Sequence, residues 1–242
     1  MRVPTHLISL TTKMILRVQP VTHFHLKQWK RRAHNIPDPE LRRQALASLL
    51  QLASESSDAF VLSRVGRGLV NLGSARQAAD VFHEVLKASP RAVAAYSGLG
   101  EAELAEENYR EAKQAFEQAM RLDPSDEAAR ARAALCERVL ELDPTLRGLR
   151  AADRYERSRR LLAAAVSAVG SCQGPPSHAD FSPLLRQARQ VLASSRRPPS
   201  LSDATDRNTD LAARLWAARP QGCPETAAID QALVRVLARV DR

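Results

Sequence analysis

Three aspartates, Asp203, Asp206 and Asp210 in the stretch SDATDRNTD, stand at i, i+3 and i+7. On a helix that spacing sets the carboxylates along one face, as an oxygen-ligated magnesium ion shared with a diphosphate requires. The same residues also suit the start of a helix, with Ser202 or Asp203 as its cap and Asp206 in the positively polarised first turn. The surroundings favour capping. Asp210 runs straight into apolar Leu211, and no second acidic cluster completes a two-sided clamp. No metal or cofactor is therefore expected from these residues.

Other reactive residue types lack the spacing their chemistry needs. His23 and His25 are two apart and point to different sides of a helix, so with His34 they read as solvent-facing histidines. Cys136, Cys172 and Cys223 are odd in number and contain no Cys-x-x-Cys pair, which leaves free thiols in a reducing compartment, the cytoplasm by default. Gly66-Arg67-Gly68 with Gly73 has neither dinucleotide nor Walker spacing. Phe24 and Trp29 among Lys27, Lys30, Arg31 and Arg32 could stack bases beside phosphate contacts. Leu26, Trp29 and Ala33 also form the apolar stripe of an amphipathic helix with a solvated basic face, and this second reading is preferred.

The elements that would position such residues are helices. The 242 residues include 40 Ala against 4 Ile and 10 aromatics, a palette rich in helix formers and poor in strand formers, which excludes an all-β sandwich or barrel. The longest apolar run, Leu161 to Val169, is far too short to span a bilayer. Lys13 interrupts the opening LISLTTKMIL, which argues against a secretory signal, while the acid-free head shares the composition of a mitochondrial transit peptide. The net charge of +9 is uneven: residues 1–37 hold seven Lys or Arg and no acid, whereas residues 58–124 hold eight basic and ten acidic side chains. Arg outnumbers Lys 31 to 5, as coding bias alone can produce, so the charge is poor support for nucleic-acid binding.

Repetition decides the architecture. Residues 59–92 align with 93–126 without a gap at a period of 34, placing Gly66 on Gly100, Ala78 on Ala112, Phe82 on Phe116 and Pro90 on Pro124. Small residues let two backbones approach, the phenylalanine fills the space between successive pairs, and proline ends the second helix. Two such helical hairpins leave open apolar ends that flanking helices must cap.

The second copy, AYSGLGEAELAEENYREAKQAFEQAMRLDP, resembles the tetratricopeptide repeat, with Tyr96, Leu99-Gly100, Tyr109, Ala112, Phe116, Ala119 and Pro124 at the family's spacing. The first copy departs from that pattern at Leu62 and Val85 and keeps Gly66, Gly73, Ala78, Phe82 and Pro90. The resemblance implies that the first helix of each hairpin lines a concave groove that binds peptide segments or helices of partner proteins. Carried over by spacing, that groove takes Phe60, Ser63, Arg67, Val70 and Asn71 from the first copy and Ala94, Ser97, Glu101, Leu104 and Ala105 from the second. Ser63 and Arg67 stand where some members carry the Lys and Asn that clamp a C-terminal carboxylate, which disfavours that receptor class. Arg67 and Asn71 can hold an acidic or polar peptide, with Val70 and Leu104 giving apolar contact. Alternatively, the C-terminal helices fill the groove.

The flanks complete an all-α chain. Asp38-Pro39-Glu40 opens a helix that continues as LRRQALASLLQLAS, and Ala45 and Leu49 overlay Ala78 and Phe82 at a shift of 33. Downstream, helices are expected over Ser125–Glu141 and Thr145–Val169, with the strict period ending at Pro124. Seven prolines lie between Pro175 and Pro224, leaving linkers at SCQGPPSHAD and SSRRPPSLSD and short amphipathic helices near Ser182–Ala193, Asp203–Ala218 and Glu225–Val240. The expected organisation is a basic helical segment over 1–57, two repeats over 58–126, capping helices over 127–170, and linkers with short helices over 171–242. The stretches RYERSRRLL and LAARLWAARPQGC resemble segments that follow the repeats in some bacterial tetratricopeptide proteins.

The head, with WKRRA and IPDPELRRQALASL as its clearest parts, is similar to the beginning of the bacterial tetraprenyl-β-curcumene synthase family. That resemblance implies a helical terpene cyclase acting on long prenyl diphosphates with magnesium. It ends near Leu50, and the family's glycine-rich continuation and Asp-rich metal motif do not follow. The expected function is a non-enzymatic adaptor or scaffold that binds protein partners through the groove. The alternative is a partial or degenerate cyclase-related protein, in which Asp203, Asp206 and Asp210 would hold magnesium. Nothing in the chain sets an oligomeric state.

Overall fold

The computed structural model describes residues 38–170, 181–194, 196, 198–218 and 228–240. Ten helices and no strand occur among the described residues, as the alanine-rich composition predicts. The basic head through Pro37, with His23, His25, His34, Phe24 and Trp29, lies outside them, as do Cys172, Cys223 and the SCQGPPSHAD linker.

Helix α1 (Pro39–Glu55) starts as the sequence predicts: Pro39 occupies the first helical position and Asp38 Oδ1 accepts from the Glu40 amide at 2.8 Å. It packs on the next helix and buries Leu49 in the same apolar cluster as Leu62 and Val65. Helices α2 (Ala59–Asn71) and α3 (Ala75–Ala88) form one hairpin, and α4 (Val93–Ala105) and α5 (Tyr109–Leu122) form another, one full period further along the chain.

The two hairpins turn alike. Ser74 N donates to Leu69 O at 2.9 Å and Gly73 N to Val70 O at 3.0 Å; Asn108 N donates to Glu103 O at 2.9 Å and Glu107 N to Leu104 O at 3.3 Å. This paired closure needs a left-handed residue just past the helix. Gly73 supplies it at φ 79°, and Glu107 supplies it at φ 61° as a non-glycine. Where the helices cross, bulk is excluded. A Cβ on Gly66 would lie 2.7 Å from Phe82 Cζ, one on Gly98 2.2 Å from the same atom, and one on Gly100 2.6 Å from Phe116 Cε1.

Helix α6 (Glu127–Leu142) corrects the expectation that the period ends at Pro124. Ala129, Ala133 and Cys136 are buried just as Ala95, Leu99 and Ala102 are one period earlier, so α6 packs on α5 as the first helix of a third repeat. Ala134, at the position of buried Gly100, is exposed. Among the described residues no second helix therefore takes the place that α5 takes beside α4. The turn through Pro144 and Gly148 (φ 79°) delays α7 (Ala151–Gly170), which starts at Ala151 where the sequence reading expects a helix from Thr145.

Helix α7 instead pairs with α9 (Leu201–Ala217), α8 (Phe181–Ala193) rests on both, and α10 (Ala228–Val240) bridges α6 and α7. Between α7 and α9, Asn208 Nδ2 donates to Ser158 Oγ at 3.0 Å, satisfying two buried polar groups inside the apolar contact. One core cluster joins α1 to the near side of the second hairpin, and a second joins the far side of that hairpin to α6–α10.

Candidate partner groove

At the start of α2, Asp58 Oδ1 accepts from the Phe60 amide at 2.7 Å and the Val61 amide at 3.3 Å. This cap fixes the first turn and leaves Phe60 standing out, 67 % exposed. The Arg64 guanidinium lies 5.8 Å from the Phe60 ring centroid, within cation–π range. One helical turn on, Arg67 is exposed. Partial desolvation, and then the like charge of Arg64, hold its guanidinium below the ordinary range. No acidic side chain among the described residues pairs with Arg64 or Arg67. Val70 and Asn71 are half-buried at the end of α2. Ser63 is buried and donates to Ala59 O at 2.7 Å, so its hydroxyl is spent within its own helix.

The second copy is more occupied. Ala94 and Ala105 are exposed, but Ser97 Oγ donates to Asp126 Oδ2 at 3.3 Å and Glu101 pairs with Arg132 at 3.0 Å. Asp126 also caps α6 through the Ala129 amide at 2.9 Å, so one carboxylate ties α4 to α6. Leu104, expected as an apolar contact for a ligand, is only 3 % exposed and belongs to the core shared with α6–α10. The correction has a physical cause: Leu104 joins Tyr109, Ala112 and Phe116 of α5 in the apolar core that continues into α6–α10.

The groove positions on α6 show the same cover. Leu135 and Val139, one period beyond Glu101 and Ala105, are buried, and besides α5 the helices packed most closely on α6 are α10 and, less, α7. Their apolar character, where the earlier copies carry Arg67, Asn71 and Glu101, is a signal in the sequence that the repeat comparison passed over. Arg157 of α7 donates to the carbonyls of Leu140 and Asp143, capping α6, and burial holds its guanidinium below the ordinary range.

Asp203, Asp206 and Asp210 are all exposed on α9. The helix begins at Leu201 and is capped by Ser200, whose Oγ accepts from the Asp203 amide at 3.2 Å, so the cap lies earlier than the expected Ser202 or Asp203. Asp210 pairs with Arg214 at 3.6 Å. Among the described residues no group of three His, Cys, Asp or Glu side chains is placed to hold a metal ion. A shallow cleft lined by Tyr155, Glu156, Arg159 and Arg196 lies beside α7. There Arg159 is engaged by the α8 terminus, donating to Leu192 O at 2.8 Å and Val191 O at 3.3 Å. No described helix is long and apolar enough to cross a membrane.

Residues 69–136 match the tetratricopeptide repeat family, a span that takes in α3, α4, α5 and most of α6. No curated protein and no solved structure matches the chain.

Proposed function

We propose that this chain, which carries a tetratricopeptide-repeat segment and with it a general protein-interaction role, is a non-enzymatic adaptor that holds a partner protein's segment on the α2–α4 groove. The observation that carries this reading is the trio Phe60, Arg64 and Arg67, an exposed aromatic beside two exposed arginines that no acidic side chain among the described residues pairs with. Such a surface suits an acidic peptide with an apolar side chain: the guanidinium groups take carboxylates in charge-assisted hydrogen bonds, and Phe60 and Val70 supply apolar contact. The unpaired, buried Cys136 thiol fits a reducing compartment, and the cytoplasm is the location proposed.

Quantitative affinity capture from native lysate tests the reading, comparing wild type with an Arg64→Glu/Arg67→Glu variant whose helicity is verified by circular dichroism. Loss of the captured partners from the charge-reversed chain is the expected outcome, and an unchanged partner set refutes it. Magnesium-dependent binding of a long prenyl diphosphate, abolished by Asp203→Ala with Asp206→Ala, would favour the cyclase-related alternative instead.

A further inference from the structure

Helix α10 rests on α6 through Ala232, Leu233, Val236 and Leu237, all buried in the core that also holds Leu135, Val139 and Leu142. It meets an acidic border. Arg239 Nε lies 3.4 Å from Asp143 Oδ2 and 3.8 Å from Glu107 Oε2, and its guanidinium sits 5.6 Å from the Tyr109 ring centroid. The face that continues the groove is thus apolar along α6 and negative at the end where α4 turns into α5, and α10 covers it with an apolar stripe and an arginine.

The polar contact between α10 and this face is incomplete. Asp143 is wholly buried; its Oδ1 accepts from Thr145 N at 2.7 Å and Thr145 Oγ1 at 2.6 Å, but Oδ2 accepts no hydrogen bond, and neither does Arg239 Nη1 donate one although it is buried. A carboxylate oxygen facing a guanidinium without a hydrogen bond forgoes most of what charge assistance offers.

We propose that α10 is a displaceable stand-in, and that the face beneath it is a docking site for an arginine-bearing amphipathic helix of a partner protein. The partner repeats the chemistry of α10, with apolar side chains spaced as Leu233, Val236 and Leu237 and an arginine placed as Arg239, and binds by forming the hydrogen bond to Asp143 Oδ2 that α10 leaves unmade. This site is separate from the basic α2 end, and an Arg67→Glu substitution leaves it untouched.

The experiment measures fluorescence anisotropy of a labelled peptide of residues 228–240 added to the full chain. In the wild type the chain's own α10 competes, so the peptide binds weakly; Val236→Asp, which undocks α10, tightens binding by roughly tenfold or more because the apparent affinity scales with the fraction of open sites. Adding Asp143→Asn to Val236→Asp reverses the gain. Arg239→Ala, a milder change that keeps the apolar stripe, gives a smaller gain in the same direction and keeps the test informative if Val236→Asp unfolds the chain. Absence of added binding in folded Val236→Asp and Arg239→Ala overturns the proposal by making α10 a fixed part of the core. A wild-type dimer that exchanges α10, seen by sedimentation, overturns it in favour of a second copy as the occupant.

Discussion

At the α2 end of the groove, Phe60, Arg64 and Arg67 are exposed, and no acidic side chain among the described residues pairs with the two arginines; at the α6 end, Leu135 and Val139 lie under α10 with Asp143 and Glu107 at the rim. Both ends are built from first helices spaced on the same repeat period, and α4 between them is in transition, with Ala94 and Ala105 open and Leu104 closed. The difference teaches that the repeat backbone sets where a groove can be, while one or two side chains per helix decide what covers it. An arginine in the ninth position of the repeat, Arg67, keeps its helix wet; a leucine there, Leu135, draws another helix onto it.

The largest expected effect tests whether the repeat really stops at α6. Gly100→Leu drives a side chain into the Phe116 ring and should cost about 3 kcal/mol in urea unfolding, whereas Ala134→Leu, at the equivalent position, should change stability by less than about 0.5 kcal/mol. Equal costs at the two sites would mean that a helix packs on the outer face of α6 after all. Next in size is the acidic rim. Asp143→Ala strips Arg239 and Arg157 of a buried opposite charge and should cost about 2 kcal/mol, less than a fully buried pair because Arg239 is a quarter exposed, with amide exchange of α10 accelerating in parallel.

A smaller effect appears at alkaline pH. Burial pushes the Cys136 thiol from about 9 up to about 11, against the opposing pull of Arg235 and Arg132. Because the unfolded thiol ionises first, stability should be flat below pH 9 and fall between 9 and 11, by about 1 kcal/mol at pH 10. Cys136→Ala should remove that slope, and a slope that persists would assign it elsewhere. Smallest is Arg67→Glu, which should change unfolding stability by less than about 0.5 kcal/mol while abolishing partner capture, separating recognition at the α2 end from the packing that governs the α6 end.

Much of this was legible in the chain. The repeat period matched Gly66 to Gly100 and Phe82 to Phe116 and marked them as close-approach and gap-filling positions, which the structure realises as Gly66 on Phe82 and Gly100 on Phe116, and the Asp38-Pro39 start of α1 follows from capping chemistry alone. Gly98 was not legible as a contact: its counterparts one period away on either side are Arg64 and Arg132, so no identity flags it, although it approaches Phe82 more closely than Gly66 does. Nor does periodicity say which neighbour a helix chooses. The apolar stripe of α10 announced a buried face, but its seat on α6 depends on Leu135, Val139 and Asp143 being brought together by the third first-helix. In the candidate site, Phe60 and Arg67 emerged exposed, whereas Leu104 and Ser63 were spent on the fold, because spacing assigns a direction to a side chain and leaves open what arrives to cover it.

Phe82 lies in α3, yet the socket for its ring is made half by Gly66 of its own hairpin and half by Gly98 of the next. Neither hairpin can lose its order without emptying a socket that the other also needs. Nearest-neighbour coupling of this kind makes unfolding cooperative across the array. The two repeats should therefore melt in a single transition, and either one excised and grafted elsewhere would carry only half of the seat that keeps it folded.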